Sequence, residues 1–483
     1  MRTLREETII PDKLKALIEL CAWLLPIACA ALLVNVGVLS EGACVWGAAL
    51  LLLGIFLAGW RAFEGGRHPC FLFLGLLLVF QGGRLIAHIM GALPNPMEII
   101  VATALPLRIS TGAAEITLLL LVLSAVCVYA PCRIGYRPAI FRTGSEAQWL
   151  PALYVLILIT FPFAFYKNWA YFSFIRDHGG YLAIYTDSAA VLASAGALVR
   201  GFALVNSSAL LTAYVFERRP KRIFGILILY FALSTLDLLI GFRGKFFSQT
   251  LVLWYIHKLK TGRRFNAAPL VATALVGIVV AILVAGFRQD QSIQLLSPIG
   301  FLAQQGISLN VTEAAVAFHN VFARFGISYL WGGFLYGIVS PPVGLQHHLL
   351  TNDLTAFLNR DAAELGFGTA SSYLAELYLA GGVFTVIFGS LAVGFTLHGL
   401  HASSRRAWGA LLMAFALPSL IYLPRLEFLG PAAALARALI GFLPVVAFVV
   451  LYQWAISFAK LALININRSK GPAFTTLPGD ERG

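Results

Sequence analysis

Long apolar runs alternate along nearly the whole chain with short clusters of charged residues, glycine and proline. A bilayer core is spanned by a helix of about 17–25 apolar residues. Runs of that kind predict helices near 16–38, 43–60, 70–90, 112–130, 149–166, 189–215, 223–241, 245–257, 267–286, 371–399, 407–424 and 431–457, twelve in all. The eighth is the shortest. The amino-terminal run is too long for the core of a signal peptide and reads as the first span. No internal repeat stands out, so the pattern gives no support to a transporter built from inverted halves.

Lysine and arginine fix a direction for these spans, because cytoplasmic loops collect them. With both termini in the cytoplasm, twenty-three of the 35 Lys and Arg fall on the inner side, in turns such as "ERRPKR" and "HKLKTGRR". Nine fall on the outer side, and Arg84, Arg200 and Arg437 lie inside spans. One span more or fewer would put the two most basic turns on the wrong side. The expected organisation is an all-α polytopic membrane protein: nine helices over 1–286, a large outer loop over 287–370, three helices over 371–457 and a cytoplasmic tail over 458–483. A loop that long normally has structure of its own. Its stretch "ARFGISYLWGGFLYGIVSPP" is apolar enough to lie in the interface or re-enter the membrane, with Tyr329, Trp331 and Tyr336 suited to headgroup depth.

Composition agrees and narrows the class. The chain is 59% hydrophobic and 12% charged, with a mean hydropathy of +0.83, where a soluble domain carries about 25% charge. The net charge of +13 is mostly this topology signal and needs no nucleic acid to explain it. The six cysteines (Cys21, Cys29, Cys44, Cys70, Cys127, Cys132) lie in or beside apolar runs of the first third. They show neither a disulfide framework nor metal-ligand spacing and read as small buried hydrophobes.

Two phrases raise the question of chemistry. "GFRGKFF" at 241–247 and "GFRQDQ" at 286–291 each put an arginine at the mouth of an apolar helix. Such a charge is costly when unpaired, from about 2.5–3.5 kcal/mol at midplane and less near the interface. It either anchors the helix by snorkelling or lines a basic pocket for an anionic, membrane-borne substrate, since guanidinium grips phosphate bidentately. Arg176, Lys245, Arg360 and Arg425 fall on the same side. Deeper in, Gln81, Arg84 and His88 share one helical face, and Arg200, Asp237 and Arg437 sit where a charge should be paired inside the bundle.

The stretch "GFGTASSYLAELYLAGG" at 366–382 is a glycine-rich turn feeding a helix, with Ser371 and Ser372 available as caps and Glu376 about one turn into the membrane. It resembles a phrase of the Wzy-type polymerases of O-antigen and exopolysaccharide repeat units: a Gly-x-Gly turn, serines, Ala-Glu, Tyr and then glycine. "FGISYLWGGFLYGIVSPP" and "YFSFIRDHGGYLAIYTD" are similar to two further phrases of that family, as is the large outer loop.

The resemblance implies a GT-C-like glycosyltransferase of the bacterial inner membrane, working on its periplasmic face. It would move a growing glycan from undecaprenyl diphosphate onto the sugar of an incoming lipid-linked repeat. Implied partners are undecaprenyl-diphosphate-linked oligosaccharides and membrane lipids, with a Wzz-type chain-length regulator and a flippase nearby. No cofactor is implied, and no acidic pair of the DxD kind on the outer loops suggests a metal-bound diphosphate. Diphosphate and glycan contacts would fall to Arg176, Arg243, Lys245, Arg288, Arg360, Arg425 and Tyr373. The base for the acceptor hydroxyl would come from His347, His348, Glu364 or Glu376, with His319, Asp353 and Asp361 also on that side. An O-antigen ligase would share this architecture. A lipid-linked oligosaccharide flippase would instead want charges along a central cavity and no large cap.

Overall fold

The computed structural model describes residues 41–99, 107–108, 111–134, 136–139, 141, 145–178, 188–241, 243–262, 298–338, 348–364 and 368–469, with Cys21, Ala22 and Pro26. The helices expected at 16–38 and 267–286, and the tail beyond 469, lie outside the described residues. So do Arg288, His347 and the side chain of Arg243.

The described chain is built from helices. They are α1 (Glu41–Ala62), α2 (Pro69–Phe80), α3 (Gly83–Ile89), α4 (Thr111–Arg133), α5 (Leu150–Asp177), α6 (Ser188–Ser194), α7 (Ala197–Phe216), α8 (Pro220–Ile240) and α9 (Arg243–Thr261). Then come α10 (Pro298–Gln305), α11 (Ser308–Ala317), α12 (Gly326–Ile338), α13 (Leu350–Leu358), α14 (Arg360–Glu364), α15 (Tyr373–Ser403), α16 (Ala407–Tyr422) and α17 (Gly430–Ser469). One antiparallel pair, β1 (Glu98–Ile99) with β2 (Leu107–Arg108), sets Glu98 opposite Arg108.

Eight helices among the described residues are long and apolar enough to cross a membrane, nine if α2 and α3 form one bent span. Every predicted run inside the described residues is helical, and three are modified. The 70–90 run bends by 57° between α2 and α3. The 189–215 run is two helices separated at Gly196, whose φ of 68° suits glycine. The 371–399 run breaks at Gly381 and Gly382, where Gly382 has φ 68°. The run at 245–257 lies in a 19-residue helix that begins "RGK" and ends "HKLKT", so its basic ends keep it below the apolarity of the other spans.

The helices pack as a bundle in which α4 lies between α1 and α15, α5 on α7, α9 on α16, and α17 against α7 and α16. Apolar side chains gain little from leaving lipid, so polar contacts and close packing hold such helices together. Between α4 and α15, the Ser124 hydroxyl is 2.6 Å from Tyr373 Oη and 2.7 Å from Ser390 Oγ, all fully buried.

The basic turns meet at one end of the bundle. Tyr255 Oη donates to the Arg67 carbonyl at 2.8 Å, and His401 Nε2 lies 3.0 Å from the Arg137 carbonyl. Lys260 Nζ donates to the carbonyls of Tyr214 and Glu217, each at 2.6 Å. The helices α3 and α10–α13, the start of α15 and the turn after α16 gather at the other end. The charge asymmetry of the sequence predicts that this second end faces away from the cytoplasm. Cysteines introduced at the exposed Gln304 and Asn352 should therefore take up an impermeant maleimide in spheroplasts, above the labelling of the unmodified chain. A cysteine at Pro220 should react only after permeabilisation, and the reverse pattern would invert the topology.

Candidate functional site

The site grows from the two broken spans. Where α2 stops, Gln81 is fully buried, and its Nε2 donates to Ser372 Oγ at 2.9 Å and to the Pro424 carbonyl at 2.8 Å. Ser372 Oγ also lies 2.8 Å from Thr312 Oγ1 of α11. One amide thus joins the break in the first span, the entry to α15, the cap and the turn after α16. In an apolar medium a helix can break only where such partners replace the lost backbone bonds.

Around this joint stand the charged groups. Glu376, fully buried one turn into α15, accepts from the Phe428 amide at 2.8 Å and from Ser371 Oγ at 3.4 Å. It is bound to the turn that carries Arg425 and Glu427. Arg425 Nη1 donates to Gln305 Oε1 at 2.6 Å, and its guanidinium lies over Phe80 at 5.7 Å. Burial pushes the Glu427 carboxyl above its ordinary range. On the cap side, Arg84 Nε donates to the Pro96 carbonyl at 2.8 Å, to which Asn310 Nδ2 also donates at 3.3 Å. Glu313, buried on α11, accepts from Asn310 at 3.5 Å. His88 Nδ1 lies 2.8 Å from the Leu93 carbonyl, so the polar face read from the sequence folds the 81–96 segment on itself.

The helix α12 connects this centre to a histidine. A Cβ on Gly333 would stand 2.4 Å from Glu427 Cβ, and one on Gly332 would stand 2.5 Å from the His348 carbonyl. Two consecutive glycines let the His348 backbone and Glu427 approach adjacent faces of one helix. His348 Nδ1 lies 2.8 Å from Asp353 Oδ2, which also accepts from Tyr329 Oη at 3.0 Å. The imidazole stacks on Phe325 at 4.0 Å. A carboxylate bound to Nδ1–H leaves Nε2 free to take a proton.

The phrase "GFRGK" reaches the same end. The left-handed Gly241 closes α8 with φ 114°, and Arg243 starts α9. A Cβ on Gly244 would stand 2.4 Å from Tyr422 Oη, and Tyr422 packs edge-on to Phe80 at 4.9 Å. Lys245 Nζ holds Asp237 Oδ2 at 2.7 Å, which pairs the deep acid singled out from the sequence. Both line a narrow cleft with Lys167, Asn168, Tyr230 and Gln249. The buried oxygens Asp237 Oδ1 and Asn168 Oδ1 have no donor among the described residues.

The remaining expected residues sit apart. Arg360 and Glu364 pair with each other at 3.0 Å, and Arg176 pairs with Asp177 at 2.9 Å, all on the exposed surface. Exposed pairs of this kind contribute little to stability. Tyr373 points into the α4–α15 interface and is fully buried. Gln305, Glu313 and Glu427 were not singled out from the sequence. The spacing Arg-x-Glu after a proline in "LPRLEF", and Asn and Glu three apart in "LNVTEA", were the available signals.

The family model described as O-antigen polysaccharide polymerase Wzy matches residues 49–454. No curated protein and no solved structure matches.

Glu427 gives the site a pH signature. Its carboxyl is raised above 4.5 in the folded chain, so between 4.5 and that higher value the folded state holds more protons than the unfolded one. Stability from this group is full below pH 4.5 and is lost as pH rises. Glu427→Gln should gain in thermal midpoint relative to the wild type as melts in detergent move from about pH 4.5 towards pH 8. A difference that does not change with pH would contradict the burial argument.

Proposed function

The chain belongs to the O-antigen polysaccharide polymerase Wzy family, and from that premise we propose that it joins lipid-linked repeat units at the periplasmic face of the inner membrane. The acceptor hydroxyl of an incoming undecaprenyl-diphosphate-linked repeat attacks the anomeric carbon of the growing glycan. The bond from that carbon to the donor's diphosphate breaks, the lipid diphosphate leaves, and the hydroxyl proton passes to a base. The observation that carries this reading is the Gln81–Ser372–Pro424 joint, which holds the turn of Arg425 and Glu427 against the Glu376 half-helix, at the same end of the bundle as the oriented His348 imidazole.

Arg425 is the best-placed cation for the leaving diphosphate. It is half-buried, it meets a neutral amide and a ring, and among the described residues it makes no ion pair with an acid. Developing negative charge on the lipid diphosphate is stabilised by such a fixed donor. Arg243, at the start of α9, and Arg288 keep the diphosphate role expected of "GFRGK" and "GFRQDQ". His348, oriented by Asp353, is the proposed base. Glu376 has both oxygens engaged, by Ser371 and by the Phe428 amide, so it positions the Arg425 turn. The narrow cleft beside Lys245, where Asp237 Oδ1 and Asn168 Oδ1 have no donor among the described residues, would offer acceptors to sugar hydroxyls at its mouth.

The test is reconstitution in vesicles with a synthetic lipid-linked repeat, read as ladder formation per folded protein. A charge-assisted bond worth about 1.5–3 kcal/mol converts to about one to two orders of magnitude in rate. Arg425→Ala should lose that much, and Arg425→Lys should recover little, because it keeps the charge without the planar fork. Full activity of the lysine variant would assign Arg425 to anchoring.

His348→Gln should cost about 10²–10⁴-fold, the range of general-base catalysis. Asp353→Asn should cost less and shift the pH profile of the rate. Wild-type activity in His348→Gln would remove the histidine from the mechanism. Arg176→Ala and Arg360→Ala serve as comparisons, because their partners are exposed acids.

A further inference from the structure

At the opposite end of the bundle, three side chains far apart in sequence come together. His68 caps α2, Cys70 lies in its first turn, and Cys132 is near the end of α4. One ligand atom from each lies within 4.8 Å of the others, and all three residues have no exposed surface. The thiols hydrogen-bond each other and have weak backbone partners: Cys70 Sγ is 4.0 Å from the Val128 carbonyl, and Cys132 Sγ is 3.3 Å from the Gly394 carbonyl.

His68 is the second, independent observation. Its Nδ1 accepts from the Cys70 amide at 3.1 Å, while its Nε2 is buried with no partner among the described residues. A buried polar nitrogen with nothing to bond is rare in a native structure. Nearby, His401 is committed, with Nε2 on the Arg137 carbonyl and Nδ1 3.4 Å from Tyr255 Oη. His398 hydrogen-bonds the Cys132 backbone, but its Nδ1 has no partner among the described residues, and its ring stacks 6.0 Å from that of His68.

We propose that His68, Cys70 and Cys132 form a structural zinc site at the basic end of the bundle, with His398 the nearest side chain able to complete a tetrahedron. Two thiolates and one or two imidazoles form a donor set that zinc takes. Charge decides between zinc and a monovalent soft ion. Two thiolates and Zn²⁺ sum to zero, whereas two thiolates and Cu⁺ leave a net negative charge in an apolar, water-free place, which burial penalises. Binding through Nε2 moves the imidazole proton to Nδ1. The Cys70 amide is then released, and it is one of the first-turn N–H groups that have no partner within a helix. The site would tie α2 to α4, and His398 would add α15.

The experiment uses the full chain, purified without a histidine tag and stripped with chelator, and titrated with Co²⁺ and then Zn²⁺. The expected result is about one cobalt per chain, as for a single closed site, with a thiolate-to-cobalt charge-transfer band that zinc abolishes. The band should vanish in Cys70→Ser and in Cys132→Ser and persist in Cys44→Ser and Cys127→Ser. Zinc should also raise the thermal midpoint of the wild type and leave that of Cys132→Ser unchanged. Absence of the band in the wild type would overturn the proposal, as would its survival in both serine variants. A disulfide, seen as two fewer titratable thiols in the denatured, unreduced chain, would do the same. Where a serine variant is not monodisperse, the wild-type band and its loss on adding zinc decide the question.

Discussion

The side-chain amide of Gln81 is the contact on which the rest of this architecture depends. A span that breaks inside a membrane leaves carbonyls and amides without partners, and water is not there to take them. At the end of α2 the break is covered by protein: Gln81 reaches the Pro424 carbonyl and Ser372, and Ser372 meets Thr312. Four segments from distant parts of the sequence are fixed by two short hydrogen bonds and the hydroxyl contact beside them. The second break, at Gly381 and Gly382, falls just below and leaves Tyr373–Ala380 as a short half-helix. Glu376 sits on that half-helix and is tied to the Phe428 amide. A break in one span and a break in its neighbour therefore support each other, and the charged groups stand where they meet.

That arrangement explains why arginine is tolerated where the chain is otherwise short of charge. The Arg425 turn is braced from below by Glu376 through the backbone, not through an ion pair. The guanidinium is left to an amide oxygen and the face of Phe80. A direct Arg425–Glu376 pair would have satisfied both charges and closed the site to an anionic ligand. Contrast Lys245, which holds Asp237 at 2.7 Å. Its positive charge is largely answered inside the protein, which suits a contact with sugars better than one with diphosphate.

Much of this was legible from the sequence, and the reasons are specific. Length and apolarity of a run decide whether it crosses a membrane, so every described run was placed as a helix. Lysine and arginine counts sorted the turns onto two ends because that bias is imposed by the membrane itself. The breaks within the runs at 70–90, 189–215 and 371–399 do not follow from run length, although glycine stands at each, Gly82–Gly83, Gly196 and Gly381–Gly382. The break after Phe80 falls at the Gly-Gly pair of "FQGGRLIAHI", and the partners that satisfy it, Ser372 and Pro424, lie about three hundred residues on. The site was legible only where a residue's own neighbours in sequence announce it, as in "ASSYLAE". Asp353 takes its meaning from His348 and Tyr329, and Glu427 from Gly333 across a helix. Arg360 shows the converse: on the expected side of the chain, it is spent on Glu364 four residues away.

The cluster of His68, Cys70 and Cys132 belongs to the same argument, seen from the far end. Cysteine spacing along the chain could not reveal it, because two of its members lie sixty-two positions apart on different helices. Yet the helices it would join are those that carry the site. The α2 helix runs from Cys70 to the break at Gln81, and α15 runs from Ser372 to His398 and His401. The α2 helix carries no break between Cys70 and Phe80, so a rotation at its basic end is felt at Gln81, whereas α15 is interrupted at Gly381 and Gly382 between Ser372 and His398. Fixing α2 against α4 and α15 at the basic end restricts how Gln81 can turn towards Ser372. In a bundle whose helices gain little from burying apolar surface against one another, a few polar or metal contacts at each end can set the geometry of everything between them.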